Sequence, residues 1–244
     1  MNGDFVRAAY DVIALVRSPF KEKFGIPRQP NLIRRAQGVV ELLPPYASPD
    51  SVRGLEQFSH LWLLFEFHAT AGQGWQPLVR PPRLGGNKKV GVFASRSTHR
   101  PNPVGMSVVR LERVDVENGV RLHVSGLDLL DQTPILDIKP YLPYADVIAD
   151  ARGGYAENSP AALLEVVFSD MASQFCRDYN RRTGYDLQGL IQELIELDPR
   201  PAYQNEPGRR YGVKLAEFDV QWVMDGNVAR VEALIPLGQS GVME

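Results

Sequence analysis

The sequence predicts a mainly β first domain, an antiparallel barrel or a sandwich, followed by a small α+β domain. Three observations lead there. Short apolar runs rich in Val, Ile, Leu and aromatic residues recur between residues 11 and 139, with Pro- and Gly-containing segments and no helical period between them. Asn118-Gly119, set between Val114–Val116 and Val120–Val124, supplies the positive φ that a type I′ hairpin turn needs. After residue 150 the pattern changes to a Gly/Asn/Ser/Pro linker over 151–160 and then to two amphipathic helical stretches.

Taken in order, strands are expected over residues 11–17, 38–43, 59–67 and 90–95, over the two hairpin arms, and over 134–139. Residues 163–168 read as a strand and 170–182 as a helix that Gly184 stops. A second helix starts at Asp186, whose carboxylate can accept the free N–H groups of the first turn. Leu187, Leu190, Ile191, Leu194 and Ile195 follow the helical period, so one face is buried. Asp198-Pro199 ends that helix, because a residue before proline avoids the helical region. Strands over 211–218, 220–224 and 228–235 complete the second domain, the last two joined around Asp225-Gly226-Asn227. The expected division is 8–150 and 160–237.

Composition excludes several classes. Apolar residues make up 44% and charged residues 23%, the range of globular chains and not of disordered or fibrous ones. The longest uncharged apolar run, 61–65, is far short of the ~18 residues of a membrane helix, so no membrane partner is expected. The first ten residues carry Asp4 and Arg7 and no apolar signal region, and Cys176 is alone, which together point to the cytoplasm. The histidines at 60, 68, 99 and 123 lack metal-ligand spacing, so metal catalysis is not expected. No G-x-G-x-x-G, Walker loop, G-x-S-x-G or H-E-x-x-H occurs.

Charge is unevenly placed. From Trp75 to Arg113 eight cations face only Glu112, a net +7 in a chain whose formal net charge is −2. Such a segment is a local field for phosphate on a protein with no general affinity for nucleic acid, DNA included, and it suits one particular RNA or nucleotide as partner. Arg83, Lys88, Arg100 and Asn102 are its candidate RNA contacts. Four polar loops rich in Pro and Gly stand out: 18–30, 80–87, 95–105 and 127–134, the last running into Asp137-Ile-Lys-Pro-Tyr141. Proline fixes φ and glycine lets a ligand approach the backbone, so these loops can hold a small charged molecule at little ordering cost.

The stretches SPFKEKFGIPRQPNL, VRGLEQFSHLWLLFEFH, RPPRLGGNKKVGVFASRSTHRPNPVGMS, LDLLDQTPILDIKPYLPYAD and DPRPAY resemble the TsaA-like family, on its branch of bacterial tRNA threonylcarbamoyladenosine N6-methyltransferases. The likeness runs from about residue 12 to 235. One departure is Gln132, where the family usually has glycine. The resemblance implies an S-adenosylmethionine-dependent methyltransferase on an antiparallel β-barrel, which is not a Rossmann-like sheet. It also implies a homodimer with the cofactor near the subunit interface, and a tRNA substrate carrying threonylcarbamoyladenosine at position 37. Carried over by motif, the cofactor residues are Pro27, Arg28, Gln29, His68, Ala69, Arg96, Met106 and the turn Ser125-Gly126-Leu127-Asp128.

Chemistry gives these residues roles. Asp128 can accept from ribose hydroxyls or an ammonium, backbone N–H groups around Gly126 can read adenine, and Leu127 and Met106 offer apolar surface. Arg28 or Arg96 can pair with the cofactor carboxylate. Asp137, Lys139 and Tyr141 form the reactive cluster, with Asp137 as base and Lys139 stabilising developing negative charge. In the second domain Arg200 can grip a phosphate and Tyr203 can stack a base. A barrel that binds cofactor and RNA without turnover, as a sensor or chaperone, is the alternative.

Overall fold

The computed structural model describes residues 9–200 and 208–238. In the first domain the strands are β1 (Ala14–Arg17), β2 (Gly38–Leu42), β3 (His60–Glu66), β4 (Leu78–Val79), β5 (Val90–Gly91), β6 (Val104–Asp115), β7 (Arg121–Ser125) and β8 (Pro134–Pro140). Six of them close a barrel in the order β1-β2-β7-β6-β3-β8, and every pair is antiparallel. Alternate residues point inward, as a half-buried strand requires. Leu61, Leu63 and Phe65 of β3, Val109 of β6, Leu122 and Val124 of β7 and Ile135 of β8 fill the interior.

Three expectations need correction here. Residues 90–95 do not make a barrel strand. Only β5 forms, paired with β4 in a two-stranded ribbon inside a long excursion between β3 and β6. Conversely, β6 is 12 residues long where the sequence pattern showed only its last turn-proximal residues. Its inward positions include Gly105 and Ser107, which do not read as apolar. Gly105 is small because the space is taken, as a Cβ there would lie 2.4 Å from the Phe65 ring. Finally, the turn between β6 and β7 is not type I′, since Gly119 has φ +89° but Asn118 is not among the residues of positive φ. The hairpin itself stands, with Asp115 opposite Arg121.

After β8 come the short α1 (Pro143–Asp146), then β9 (Glu165–Phe168), α2 (Asp170–Thr183), α3 (Leu187–Glu196), β10 (Arg210–Leu215), β11 (Phe218–Asp225) and β12 (Val228–Pro236). Ser169 caps α2 by accepting from the Ala172 N–H, and Gly184 ends it with φ +74°. Asp186 caps α3 by accepting from the Gly189 N–H at 3.0 Å. The second sheet runs β10-β11-β12-β9, with β9 parallel to β12. The strand expected over 211–218 is in fact two, because Ala216 (φ +53°) and Glu217 turn the chain between Leu215 and Phe218. Neither residue is a usual turn former. Contact with the first domain holds the turn, the Ala216 N–H donating to the Pro19 carbonyl at 2.6 Å.

The two domains share a continuous core. Arg35 bonds Asp186 at 2.7 Å and also pairs with Glu193, whose other oxygen accepts the Arg35 backbone N–H at 3.0 Å. Phe24 stacks on Trp222 with ring centroids 6.4 Å apart.

Gln132 adopts φ +64° in the turn before β8, where its N–H donates to the Val16 carbonyl at 2.8 Å. A side chain in that region costs about 1–2 kcal/mol, part of which glycine gives back as unfolded-state entropy. Gln132→Gly should therefore stabilise the protein by about 0.5–1 kcal/mol in urea unfolding. A lower midpoint for the glycine variant would contradict the strain.

Candidate functional site

Strand direction decides where the site forms. β1, β3 and β7 end, and β2, β6 and β8 begin, at the same end of the barrel. The connections 18–37, 67–103 and 126–133 therefore gather at one rim. They contain every cofactor candidate apart from Met106 and Ser125, which sit on the strands that enter and leave there.

At this rim Gln29 and Arg96 meet, the Arg96 Nη1 donating to Gln29 Oε1 at 2.6 Å. Asp128 lies behind them. Its Oδ1 accepts from the Ser107 hydroxyl at 2.7 Å. Burial pushes the Asp128 carboxyl up to about 6, although the Ser107 bond, a main-chain bond and the Arg96 charge all pull it down. Arg28 is exposed and makes no hydrogen bond or ion pair with any described residue. Pro27 is buried, and His68 and Ala69 are half-buried in the turn that leaves β3. Gly126 has φ +75°, and a Cβ there would lie 2.3 Å from Asn31 Oδ1. Asn31 in turn donates its N–H to the Gly126 carbonyl at 2.9 Å and its Nδ2 to the Val108 carbonyl at 2.9 Å.

Two residues of the turn face elsewhere. Leu127 is fully buried in the barrel core and packs against Gly38, so it offers no side-chain surface to a ligand, only backbone. Ser125 is buried and donates to Glu112 at 2.5 Å.

Register places the reactive cluster. Leu64 of β3 lies opposite Met106 on one side and Asp137 on the other. These three side chains form a row on the outer face, Met106 50% exposed and the Asp137 side chain 45%. Met106 and Asp137 are thus about 10 Å apart, two strand spacings. Lys139 pairs with Asp137 at 2.6 Å, but it belongs to the next row, opposite Trp62. Tyr141 is at the far end of the sheet, where its N–H donates to the His60 carbonyl. Four residues of strand separate it from Asp137, about 13 Å, so the three do not converge on one point. Tyr141 instead packs with Trp62 and His60, at 6.0 and 6.3 Å between centroids.

The RNA candidates divide in the same way. Lys88 is exposed without a bonding partner among the described residues, as are Arg80 and Lys89, and Asn102 is exposed at the rim. Arg83 donates to the Asn158 carbonyl, and Arg100 donates to the carbonyls of Val92 and Ser95 at 3.2 and 2.7 Å while covering Phe93. Arg200 forms a two-pronged pair with Asp198 at 2.7 and 2.9 Å, and its side chain is only 9% exposed. Tyr203 lies outside the described residues.

Sequence reading missed Ser107 and Asn31. The signal for Ser107 was a hydroxyl at an inward position of an alternating strand. Asn31 had a weaker one, an Asn after proline in a loop, a type that tolerates its φ of +62°. No group of three or more His, Cys, Asp or Glu among the described residues is placed to hold a metal ion, and no described helix is long and apolar enough to cross a membrane.

Residues 15–147 match the tRNA-methyltransferase O N-terminal domain, and residues 161–237 match the TrmO C-terminal domain. The chain belongs to the TrmO family. The tRNA (adenine(37)-N6)-methyltransferase of Escherichia coli K12 is 48% identical over 93% of this chain and 97% of its own. A Pseudomonas aeruginosa relative grouped with the S-adenosylmethionine-dependent methyltransferases is 52% identical over 86% of this chain and 90% of its own. A crystal structure of P. aeruginosa TrmO superposes with a TM-score of 0.81 at 43% identity, covering 96% of this chain and all of that one. The barrel with a small second domain is thus the TrmO architecture.

The raised Asp128 carboxyl has a measurable consequence. Between about pH 4 and pH 6 the folded protein keeps a proton that the unfolded chain has lost, so stability falls as pH rises through this window and stays lower above it. Asp128→Asn removes that loss. Its stability advantage over the parent should grow by on the order of 2 kcal/mol between pH 4 and pH 7 in urea titrations. A difference that does not change with pH would remove the buried charge from the account.

Proposed function

We propose that the protein transfers a methyl group from S-adenosylmethionine to N6 of adenine 37 of tRNA, and that this adenine carries the threonylcarbamoyl group. The observation that carries the reading is the rim cluster. There Arg96 is held by Gln29 and its charge acts on a destabilised Asp128, Arg28 next to Gln29 has no partner among the described residues, and Met106 is exposed on the strand beside Ser107. These groups fit the cofactor. Arg28 or Arg96 can pair with a carboxylate, Asp128 can accept from an ammonium or ribose hydroxyls, and Met106 offers apolar surface to a base. When bound, S-adenosylmethionine supplies an electrophilic methyl group.

The chain's own residues manage the acceptor. N6 of a threonylcarbamoyl adenine is a ureido nitrogen with a delocalised lone pair, so it must release its proton to become nucleophilic. Asp137, in the Met106 row, is the acceptor for that proton. Its Oδ1 takes the Ile138 N–H at 2.9 Å, so Oδ2, now paired with Lys139, is the atom available. As Lys139 turns from Asp137 toward the substrate, its charge can offset negative charge developing on the ureido oxygen. Tyr141, too far from this row to act there, gives with Trp62 and His60 a surface on which a neighbouring base can stack.

Position 37 is unpaired in the anticodon loop, so presenting its base costs little. Arg80, Lys88 and Lys89 reach out on the excursion between β3 and β6, where they can meet phosphates, while Arg83 and Arg100 shape that excursion through carbonyl contacts. Arg200 would reach a phosphate only by loosening its pair with Asp198, so any part it takes is secondary to the excursion. A tRNA substrate sets the working compartment as the cytoplasm.

We also infer a homodimer. Tyr144, Val147 and Ile148, 87%, 58% and 66% exposed, form an apolar surface beside Trp62 that a second copy would cover. Sedimentation at micromolar concentration should show a dimer, and a monomer would withdraw this.

Labelled S-adenosylmethionine incubated with tRNA tests the main reading. Label should enter only tRNA that bears threonylcarbamoyladenosine. Arg96→Ala should weaken cofactor binding roughly 10–100-fold by calorimetry, the loss of one charge-assisted pair. Cofactor binding without methyl transfer to any tRNA would favour the sensor reading.

A further inference from the structure

The loop between β1 and β2 does more than carry Pro27, Arg28 and Gln29. Its base is fixed to the barrel, with the Ser18 N–H and the Lys21 ammonium both donating to Asp131 at 2.8 Å. From there residues 19–22 run along β10, the edge strand of the second sheet. The Lys21 N–H donates to the Lys214 carbonyl at 3.3 Å, and Phe20 pairs with Leu215. Glu22 accepts from the Lys214 N–H at 2.9 Å. Phe24 lies flat on Trp222, the two ring planes 8° apart. Gly25, at φ +87°, sits so close to the sheet that a Cβ would lie 2.6 Å from a Val213 methyl.

Between these anchors Lys23 points the other way. Its ammonium donates to the Ala69 carbonyl at 3.0 Å, in the turn that leaves β3. Four residues after Gly25, Gln29 holds Arg96. One segment thus links the second domain to two of the three cofactor-bearing loops, 67–103 and its own tip.

We propose that residues 19–25 are a strut through which the C-terminal domain sets the geometry of the cofactor rim, with Lys23 a positioning residue acting through Ala69. The proposal rests on the reading of this rim as the S-adenosylmethionine site. The physical ground is ordering entropy. Each residue held in one backbone conformation costs about 1–2 kcal/mol, and a loop already clamped to a packed sheet does not incur that cost again when a ligand arrives. By linkage, whatever steadies β10 also favours cofactor binding at the rim.

The test uses the full chain, with S-adenosylmethionine binding by calorimetry and methylation kinetics at saturating tRNA. Lys23→Met should raise Kd and KM for S-adenosylmethionine about tenfold with kcat within about twofold, since a charged hydrogen bond is lost away from the reacting atoms. Lys23→Arg keeps the donor and should restore most of the affinity. Gly25→Ala should weaken binding similarly by lifting the loop off Val213; if it does not fold, Lys23→Met decides. A purely structural role would lower the melting temperature without moving KM. Parental affinity in Lys23→Met and Gly25→Ala, where Arg96→Ala has lost binding, overturns the strut and leaves the cofactor site standing. Parental affinity in Arg96→Ala withdraws the site and the strut with it.

Discussion

The architecture of the rim depends on one piece of unpaired strand edge. β7 leaves the barrel at Ser125, opposite Arg110, while β6 continues back to Val104 paired only with β3. A backbone carbonyl left bare on such an edge has to be satisfied by another group. Asn31 does this for Val108, and its own backbone is held in turn by Gly126. Covering the edge therefore fixes the loop after β1 against the turn after β7. Asp128 then follows two residues beyond Gly126, next to the Ser107 hydroxyl. The cofactor candidates converge because a sheet edge needed closing.

That closure leaves a carboxylate where folding alone would not put one. Asp128 is enclosed enough that its charged form is disfavoured, and its bonded partner is a neutral hydroxyl. A group that lowers stability when unpaired gains most from a cationic or hydroxyl-bearing ligand, so binding at this candidate site would recover stability that the free protein lacks. The strained φ of Gln132 lies in the same connection, before β8. Part of the local cost thus falls where the loops meet.

The same economy of contacts sorts the basic segment. Its charge looked uniform along the chain, but tertiary contacts consume part of it. Arg83 and Arg100 give their donors to backbone carbonyls, which lets a long excursion with little regular structure hold its shape. Arg80, Lys88 and Lys89 remain available to a polyanion. Arg200 is similarly occupied by Asp198. Charged residues that bind the chain to itself and those that bind a partner are alike in sequence.

By itself the sequence determined the elements whose signals are local. Asp186, through its carboxylate, and Gly184, through its N–H, mark helix ends by hydrogen bonds within four residues, and Leu187, Leu190 and Ile191 mark the buried face of α3 through its period. The strands β1, β2, β3, β7 and β8 show the same legibility, since alternation and breakers lie within each segment. The loop phrases around Gln29, Arg96 and Asp128 also named the cofactor candidates. Only the tertiary structure decided β6, whose Gly105 is explained by a ring from another strand, and the turn at Ala216, which a carbonyl of the other domain holds. It also decided that Leu127 is core and that Tyr141 stands far from Asp137, because barrel closure and strand register set which face and which row a residue occupies. Register is a property of pairs of distant segments, and no window along one chain contains both members of the pair.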